Sequence, residues 1–455
     1  MHYIRLLRAP KLTYDDKARK HPWSLNLVLT VTTDLGDSFL NPDGHDEPVK
    51  LKVSAGWERP SKQQQQPKAD DAIVLAAEKV LRWTPGMRVL KADIPAQHLT
   101  TPALPKNSAG LGPLRVLVRA GGRHSADAAT DVAFAGFEGG CGKIMPVWAD
   151  VQTPDRRGAP PTTCVRRLAR GGDRDRDSEP FMEIEEDIGE SIARHVWDAG
   201  LTAVSRLWLA NDRRRDGRDA ASHHHPWHMD RLHGLLFGGE RPLNILELGC
   251  GVGILGNGLA QLMTTEDPEG KSSILMTDLP EAEHRARANM ARLATAGTAS
   301  VRPEYENLDW DDGRRGELGP LASAKAWDLI VMSDCTYNVD VLPSLVNTWT
   351  AVHVHNISRR SAPPPPGQSV GPVRTHVYVA WKKRHPDENE FWRLVDDAGW
   401  VLREEDVVDL PVLGAGGDTD KIFSYLFETT SQRYERLAET GTWKCLDRAE
   451  PCSSG

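Results

Sequence analysis

The sequence predicts an α/β protein, an open and mostly parallel sheet with helices on both faces, preceded by a β-rich region. Three observations carry that prediction. Residues 1–170 show strand-period alternation broken by Pro and Gly. From Pro242 onward, apolar runs of strand length alternate with stretches of helical spacing, the pattern of strands joined by crossover helices. The first of those strands runs straight into a glycine-rich turn, Ile245-Leu-Glu-Leu-Gly-Cys-Gly-Val-Gly253, and then into a helix. The expected organisation is a β-rich region over 1–170, a charged linker over 171–182, the α/β domain over 183–430 and a tail over 431–455.

A chain of 455 residues has room for two or three domains. Its net charge of −8 argues against a general affinity for nucleic acid. No apolar run approaches the ~20 residues of a membrane-spanning helix, and Met1 to Arg5 lacks the apolar core of a secretory signal. The six cysteines form no Cys-x-x-Cys pair, which suits a reducing compartment. The expectation is a monomer in the cytosol, with the nucleus open, that binds neither nucleic acid nor membrane.

In the first region, residues 25–31, 49–53, 89–92 and 114–118 alternate as half-buried strands do. A small sandwich or barrel follows, with the glutamine tract 63–66 as a solvent loop. It contains no catalytic constellation, so a structural or partner-binding role is expected. After the linker, residues 183–209 have helical spacing through Ile188, Ile192, Val196 and Leu201. The polar stretch 211–229 carries His223, His224, His225 and His228, but no cysteine or carboxylate at ligand spacing closes a metal set. In the α/β domain the strands are expected at 245–248, 273–277, 301–308, 327–332, 375–380 and 421–427. Helices fall at 280–293, 342–353 and 388–397, and a second polar insertion at 359–372 contains four consecutive prolines.

The glycine turn suits a nucleotide-like cofactor, because without Cβ atoms the backbone turns sharply and approaches a ligand closely. Two cofactors compete for it. Gly251, Gly253 and Gly256 fit the dinucleotide spacing G-x-G-x-x-G, a weak signal alone. Glu247, Gly249, Gly251 and Gly253 fit Glu-x-Gly-x-Gly-x-Gly, the S-adenosylmethionine loop. An acidic residue there is badly placed against a pyrophosphate and well placed against an ammonium or sulfonium, which favours the methyl donor over NAD.

Other candidates follow the strand ends. Asp278 ends the second strand, where a carboxylate can accept the hydroxyls of a ribose; the plainer alternative is a helix cap. Asp309 and Trp310 follow the third strand, where an indole can cover adenine and a carboxylate can meet the base edge; the alternative is packing at the sheet edge. Asp334 and Tyr337, at i and i+3 beyond the fourth strand, can face one cleft, the carboxylate orienting an amine and the ring enclosing its stem. Their alternative is a strand-end cap with a packing ring.

The loop motif, Thr277-Asp-Leu-Pro-Glu281, Leu308-Asp-Trp310 and Ser333-Asp-Cys-Thr-Tyr-Asn338 occur in that order. Together they resemble the seven-β-strand protein-lysine methyltransferases, the nicotinamide N-methyltransferase-like group, over roughly residues 183–430. Val196-Trp-Asp-Ala199 is similar to that group's Trp-containing helix, and Tyr378-Val-Ala-Trp-Lys-Lys-Arg384 to its fifth strand. The resemblance implies a Rossmann-like seven-stranded methyltransferase sheet, S-adenosylmethionine as cofactor, and a cofactor role for Trp197 and Ser333. It implies methyl transfer to a lysine of a protein substrate. The Asp-Cys-Thr-Tyr-Asn stretch is similar to fungal enzymes acting on translation elongation factor 1-alpha. A lysine with a reference pKa of ~10.4 must lose its proton first, and a narrow, partly dry cleft helps it do so. The rival readings are a small-molecule N-methyltransferase and a non-catalytic protein of the same fold.

Overall fold

A computed structural model describes residues 1–18, 20–42, 47–58, 73–97, 99, 113–135, 144–154, 159–171, 181–189, 194–215, 228–239, 241–295, 300–360, 373–411, 419–437 and 441–446. Its chain contacts separate two compact units, Met1–Val196 with Asp409–Asp420, and Trp197–Val408 with Lys421–Gly455.

Among the described residues the first unit has two sheets. Strands β1 (His2–Leu6), β2 (Lys11–Tyr14), β3 (Trp23–Thr32), β4 (Val49–Glu58), β5 (Ile73–Trp83), β6 (Leu90–Pro95) and β7 (Leu114–Ala120) come first. A short helix α1 (Ala129–Ala133) precedes β8 (Ile144–Met145), β9 (Val147–Asp150), β10 (Thr163–Ala169) and β11 (Phe181–Asp187). One sheet has the order β2-β3-β1-β8, with β6 also on β3; the other runs β11-β10-β9-β7-β4-β5. Leu25, Leu27 and Leu29 of β3 share one core with Leu51, Val53 and Ala55 of β4 and Val116 and Val118 of β7. Every second residue therefore points inward from both sheets, as in a sandwich.

One expectation fails here. The stretch 183–209 is not a single helix: β11 pairs antiparallel with β10 from Thr163↔Asp187 to Ala169↔Phe181. The sequence conceals this strand because its inward row, Met182, Ile184 and Glu186, ends in a carboxylate. Glu186 is buried in an ion pair with Arg166 across the ladder, at 2.9 Å. The units accordingly divide at Val196/Trp197 rather than within 171–182. Most of that linker, the glutamine tract, His223 to His225 and the four prolines lie outside the described residues.

The second unit opens with α2 (Asp198–Arg215) and α3 (Asp230–Phe237). There follow β12 (Asn244–Leu248), α4 (Ile254–Glu266), β13 (Ser273–Asp278), α5 (Pro280–Thr295), β14 (Glu304–Asn307), α6 (Trp310–Gly313), β15 (Leu329–Ser333) and α7 (Leu342–Arg360). The rest is β16 (Thr375–Lys382), α8 (Glu390–Asp397), β17 (Val401–Pro411), β18 (Thr419–Thr429), β19 (Tyr434–Arg436) and β20 (Trp443–Cys445). Among the described residues the main sheet has seven strands in the order β14-β13-β12-β15-β16-β18-β17. The five strands β14-β13-β12-β15-β16 are parallel neighbours, and β18 enters antiparallel to β16. This is the open, mostly parallel sheet that the strand–helix alternation predicts, with the seven strands that the resemblance implies. Its core beneath α7 and α8 gathers Trp349, Trp381, Phe391, Trp400 and Phe427. The expected tail is partly structured: β19 and β20 form a ribbon, and the backbone N–H of Trp443 donates to Asn347 Oδ1 of α7 at 2.9 Å.

Candidate functional site

The sheet order reverses between β12 and β15, and in open α/β sheets the ligand crevice lies beyond the carboxyl ends of the strands at such a point. The glycine turn sits there. Gly249, Gly251 and Gly253 all have left-handed φ, at 67°, 54° and 81°, which glycine adopts without a Cβ clash. A Cβ on Gly249 would lie 2.6 Å from Cys335 Sγ and 3.0 Å from Trp310 Cζ2. The turn is pinned from below by neighbouring side chains: Asn257 Nδ2 donates to the Gly253 carbonyl at 2.8 Å and Asn289 Nδ2 to the Val252 carbonyl at 2.9 Å.

Two carboxylates define the electrostatics of the turn. Asp278 accepts the Gly251 N–H at 2.7 Å on one oxygen and the Leu279 N–H at 2.7 Å on the other, which fixes it against the loop. Burial nevertheless raises its pKa. Glu247 is 1 % exposed, and neither of its oxygens has a hydrogen-bond partner. Burial, reinforced by the Asp278 carboxylate and opposed by the nearby Gly256 N–H, pushes it up to about 8. A pyrophosphate above this pair of acids would aggravate the repulsion, whereas a cationic group relieves it. The residues present therefore fit S-adenosylmethionine, whose ammonium and sulfonium are the cations required, and do not fit a dinucleotide.

On the β14 side, Trp310 is half-buried, with its ring edge against Gly249. The exposed Asp309 accepts the Asp311 N–H at 2.8 Å and so caps α6. Among the described residues the loop thus gathers Glu247, Asp278 and Trp310. Cys335 is buried beneath it, its thiol close to the Leu248 and Gly249 carbonyls and held well above the usual thiol range by burial.

Beyond β15 the geometry departs from expectation. Ser333 lies against the first turn of α2, its Oγ 2.9 Å from where a Gly200 Cβ would stand. Tyr337 is 56 % exposed, the one aromatic of that tetrad open to an incoming group. Asp334, by contrast, is buried, and both oxygens are engaged: Oδ2 accepts the Ala199 N–H at 2.8 Å and Oδ1 accepts Arg384 Nη1 at 2.5 Å. The expected orientation toward a substrate amine is replaced by a helix cap and an ion pair. The Arg384 guanidinium also lies over the Trp197 ring, 5.1 Å from its centroid, and beside it Lys382 pairs with Asp198 at 2.8 Å, both buried.

Arg384, Lys382 and Asp198 escape the sequence reading as site residues. The Trp-Lys-Lys-Arg run that ends β16 is the signal that could have found them, because charges at the carboxyl end of a central parallel strand face the crevice.

Residues 176–360 match a family model described as lysine methyltransferase. A UPF0665 family protein of Schizosaccharomyces pombe is 25 % identical over 258 residues, which cover 57 % of this chain and 61 % of that protein. Among solved structures, the chain is similar to M. jannaschii TYW2 in complex with AdoMet, at 11 % identity and a TM-score of 0.25, covering 47 % of this chain and 80 % of that one. It is also similar to a precorrin-6y C5,15-methyltransferase from Geobacter metallireducens, at 7 % identity and a TM-score of 0.27, covering 44 % and 88 %. The family match falls on the loop and carboxylates just described, and the cofactor is S-adenosylmethionine.

Proposed function

We propose that this chain transfers a methyl group from S-adenosylmethionine to a lysine side chain of a protein substrate. The observation that carries the reading is the lysine methyltransferase family match falling on a loop whose buried, unpartnered Glu247 calls for a cation. Elongation factor 1-alpha is the substrate we propose, on the resemblance of the Asp-Cys-Thr-Tyr-Asn stretch.

When bound, S-adenosylmethionine supplies a methyl group activated by its sulfonium. The chain's own residues bind, orient and exclude water. Glu247 balances cationic charge beside the turn, Asp278 meets the ribose, and Trp310 walls the base side. Tyr337, exposed at the rim, encloses the stem of the lysine and lowers the cost of presenting it uncharged. Most of the acceleration this arrangement can supply comes from aligning the amine with the methyl at ~3–3.5 Å.

Calorimetry tests the cofactor, with S-adenosylmethionine and its demethylated product expected to bind; binding of NAD alone would overturn the assignment. The acceptor is tested with labelled methyl donor, using purified elongation factor 1-alpha, a protein extract and small amines in parallel. Mass spectrometry should find the label on lysine in protein. Label only on small amines sinks the protein reading, and label on another protein sinks the elongation-factor assignment alone.

A further inference from the structure

We infer that Asp334 and Arg384 form a latch that positions Trp197 and the first turn of α2 against the methyl-donor pocket, so that Asp334 is a positioning residue of the donor side. This rests on the reading of the site proposed above and deepens it.

Trp197, the residue before α2, cannot cap the helix with its side chain. The Trp197 carbonyl accepts its first helical bond, from the Leu201 N–H at 3.1 Å, and an indole has no acceptor to offer the exposed N–H groups that follow. Asp334 supplies one from a distant part of the chain. It sits just past β15, where its N–H donates to the Ala380 carbonyl at 3.0 Å, and its φ of 54° is left-handed, alone among the described non-glycine residues. That conformation is uncommon for a side-chain-bearing residue, though aspartate tolerates it better than most. The turn aims the carboxylate at the positive end of α2, where a negative charge is favoured.

The second oxygen holds Arg384, and Arg384 is itself fixed. Glu388 accepts the backbone N–H of Arg384 at 2.8 Å and that of His385 at 2.7 Å, and Arg384 Nη1 also reaches the Lys382 carbonyl at 3.0 Å. The guanidinium in turn covers Trp197, an attractive arrangement of cation on ring. The same helical turn touches the donor loop's helix directly, since a Cβ on Gly200 would meet Ile254 Cγ2 at 2.7 Å. Any loosening of the latch is therefore felt at Trp197 and at the start of α4 together. An acceptor amine would have to displace Arg384 to reach this carboxylate, at the cost of leaving a half-buried cation without its carboxylate.

The test reads donor-side binding by calorimetry with S-adenosylhomocysteine, the demethylated product, on the full chain. Asp334→Asn keeps an acceptor for the Ala199 N–H and removes the charge facing Arg384; Arg384→Gln removes the other partner. Each should weaken product binding by roughly tenfold or more, and the double variant should lose about as much as either single change, as expected of groups acting as one unit. Trp197→Ala should show a similar loss that does not multiply with Arg384→Gln. If a single charge change prevents folding, the double variant, with neither charge left unpaired, decides the question. Product binding within about twofold of wild type in the double variant would overturn the latch. So would multiplying losses for Trp197→Ala and Arg384→Gln. Failure of the wild-type chain to bind S-adenosylhomocysteine would instead overturn the function proposed above.

Discussion

At the scale of single residues, Glu247 has the sharpest physical signature. Its folded-state pKa of about 8 lies above the ordinary carboxyl value of 4.5, so between those values the unfolded chain has released a proton that the folded chain retains. Stability from this group therefore falls as pH rises through that window and is unaffected below it. Glu247→Gln abolishes the dependence. Urea denaturation of the ligand-free protein should show the variant gaining on wild type from pH 5 to pH 8; a constant difference between the two curves would mean that Glu247 ionises normally. The position of this acid before the glycines was legible in the sequence, because the motif spaces it. The engagement of Asp334 was not, since its partners Ala199 and Arg384 lie 135 and 50 positions away, and no local pattern announces a cap supplied from so far along the chain.

At the scale of elements, α2 and α4 approach so closely that only glycine fits between them. A Cβ on Gly258 would stand 2.5 Å and 2.7 Å from the two methyl carbons of Val204. Gly258→Val should therefore force the helices apart and destabilise the domain by about 1–3 kcal/mol, as overpacked cores do. The shift in urea midpoint measures it, and an unchanged midpoint would show that the helices slide freely. The parallel strands were readable because β12, β13 and β15 are short, nearly pure apolar runs buried on both faces. Strand β17 escaped notice. Val401 and Leu402 are exposed at its start, and its Arg-Glu-Glu-Asp centre belongs to an edge, where charge discourages pairing with other chains. Strand β11 was missed for the opposite reason, its buried carboxylate being satisfied only by Arg166 on the neighbouring strand.

At the scale of the whole molecule, the main sheet depends on a strand that comes late in the chain. Strand β18 pairs with β16 along eight residues, from Thr375↔Thr429 to Lys382↔Ile422, and it is the strand through which β17 joins the sheet. A chain ending at Pro411 should consequently lose both the cooperative urea transition of this unit and binding of S-adenosylhomocysteine. Retention of either would show that β14 to β16 form a self-sufficient sheet. The two-unit plan was legible from the change of periodicity near residue 170, yet its true division was not. The β10–β11 ladder and the Glu186–Arg166 pair hold β11 with the first unit, and such a bond between strands has no periodic trace.

That strand order has a consequence during synthesis. A ribosome delivers β16 well before β18, and β17 before the strand that will hold it in the sheet. At roughly 5–20 residues per second, the aromatic face and open hydrogen-bonding edge of β16 wait several seconds for their cover. The nascent chain therefore passes through a stage in which the donor loop is already made while the sheet beneath it is incomplete. Its exposure to mispairing is set by the pace of translation between Lys382 and Thr429.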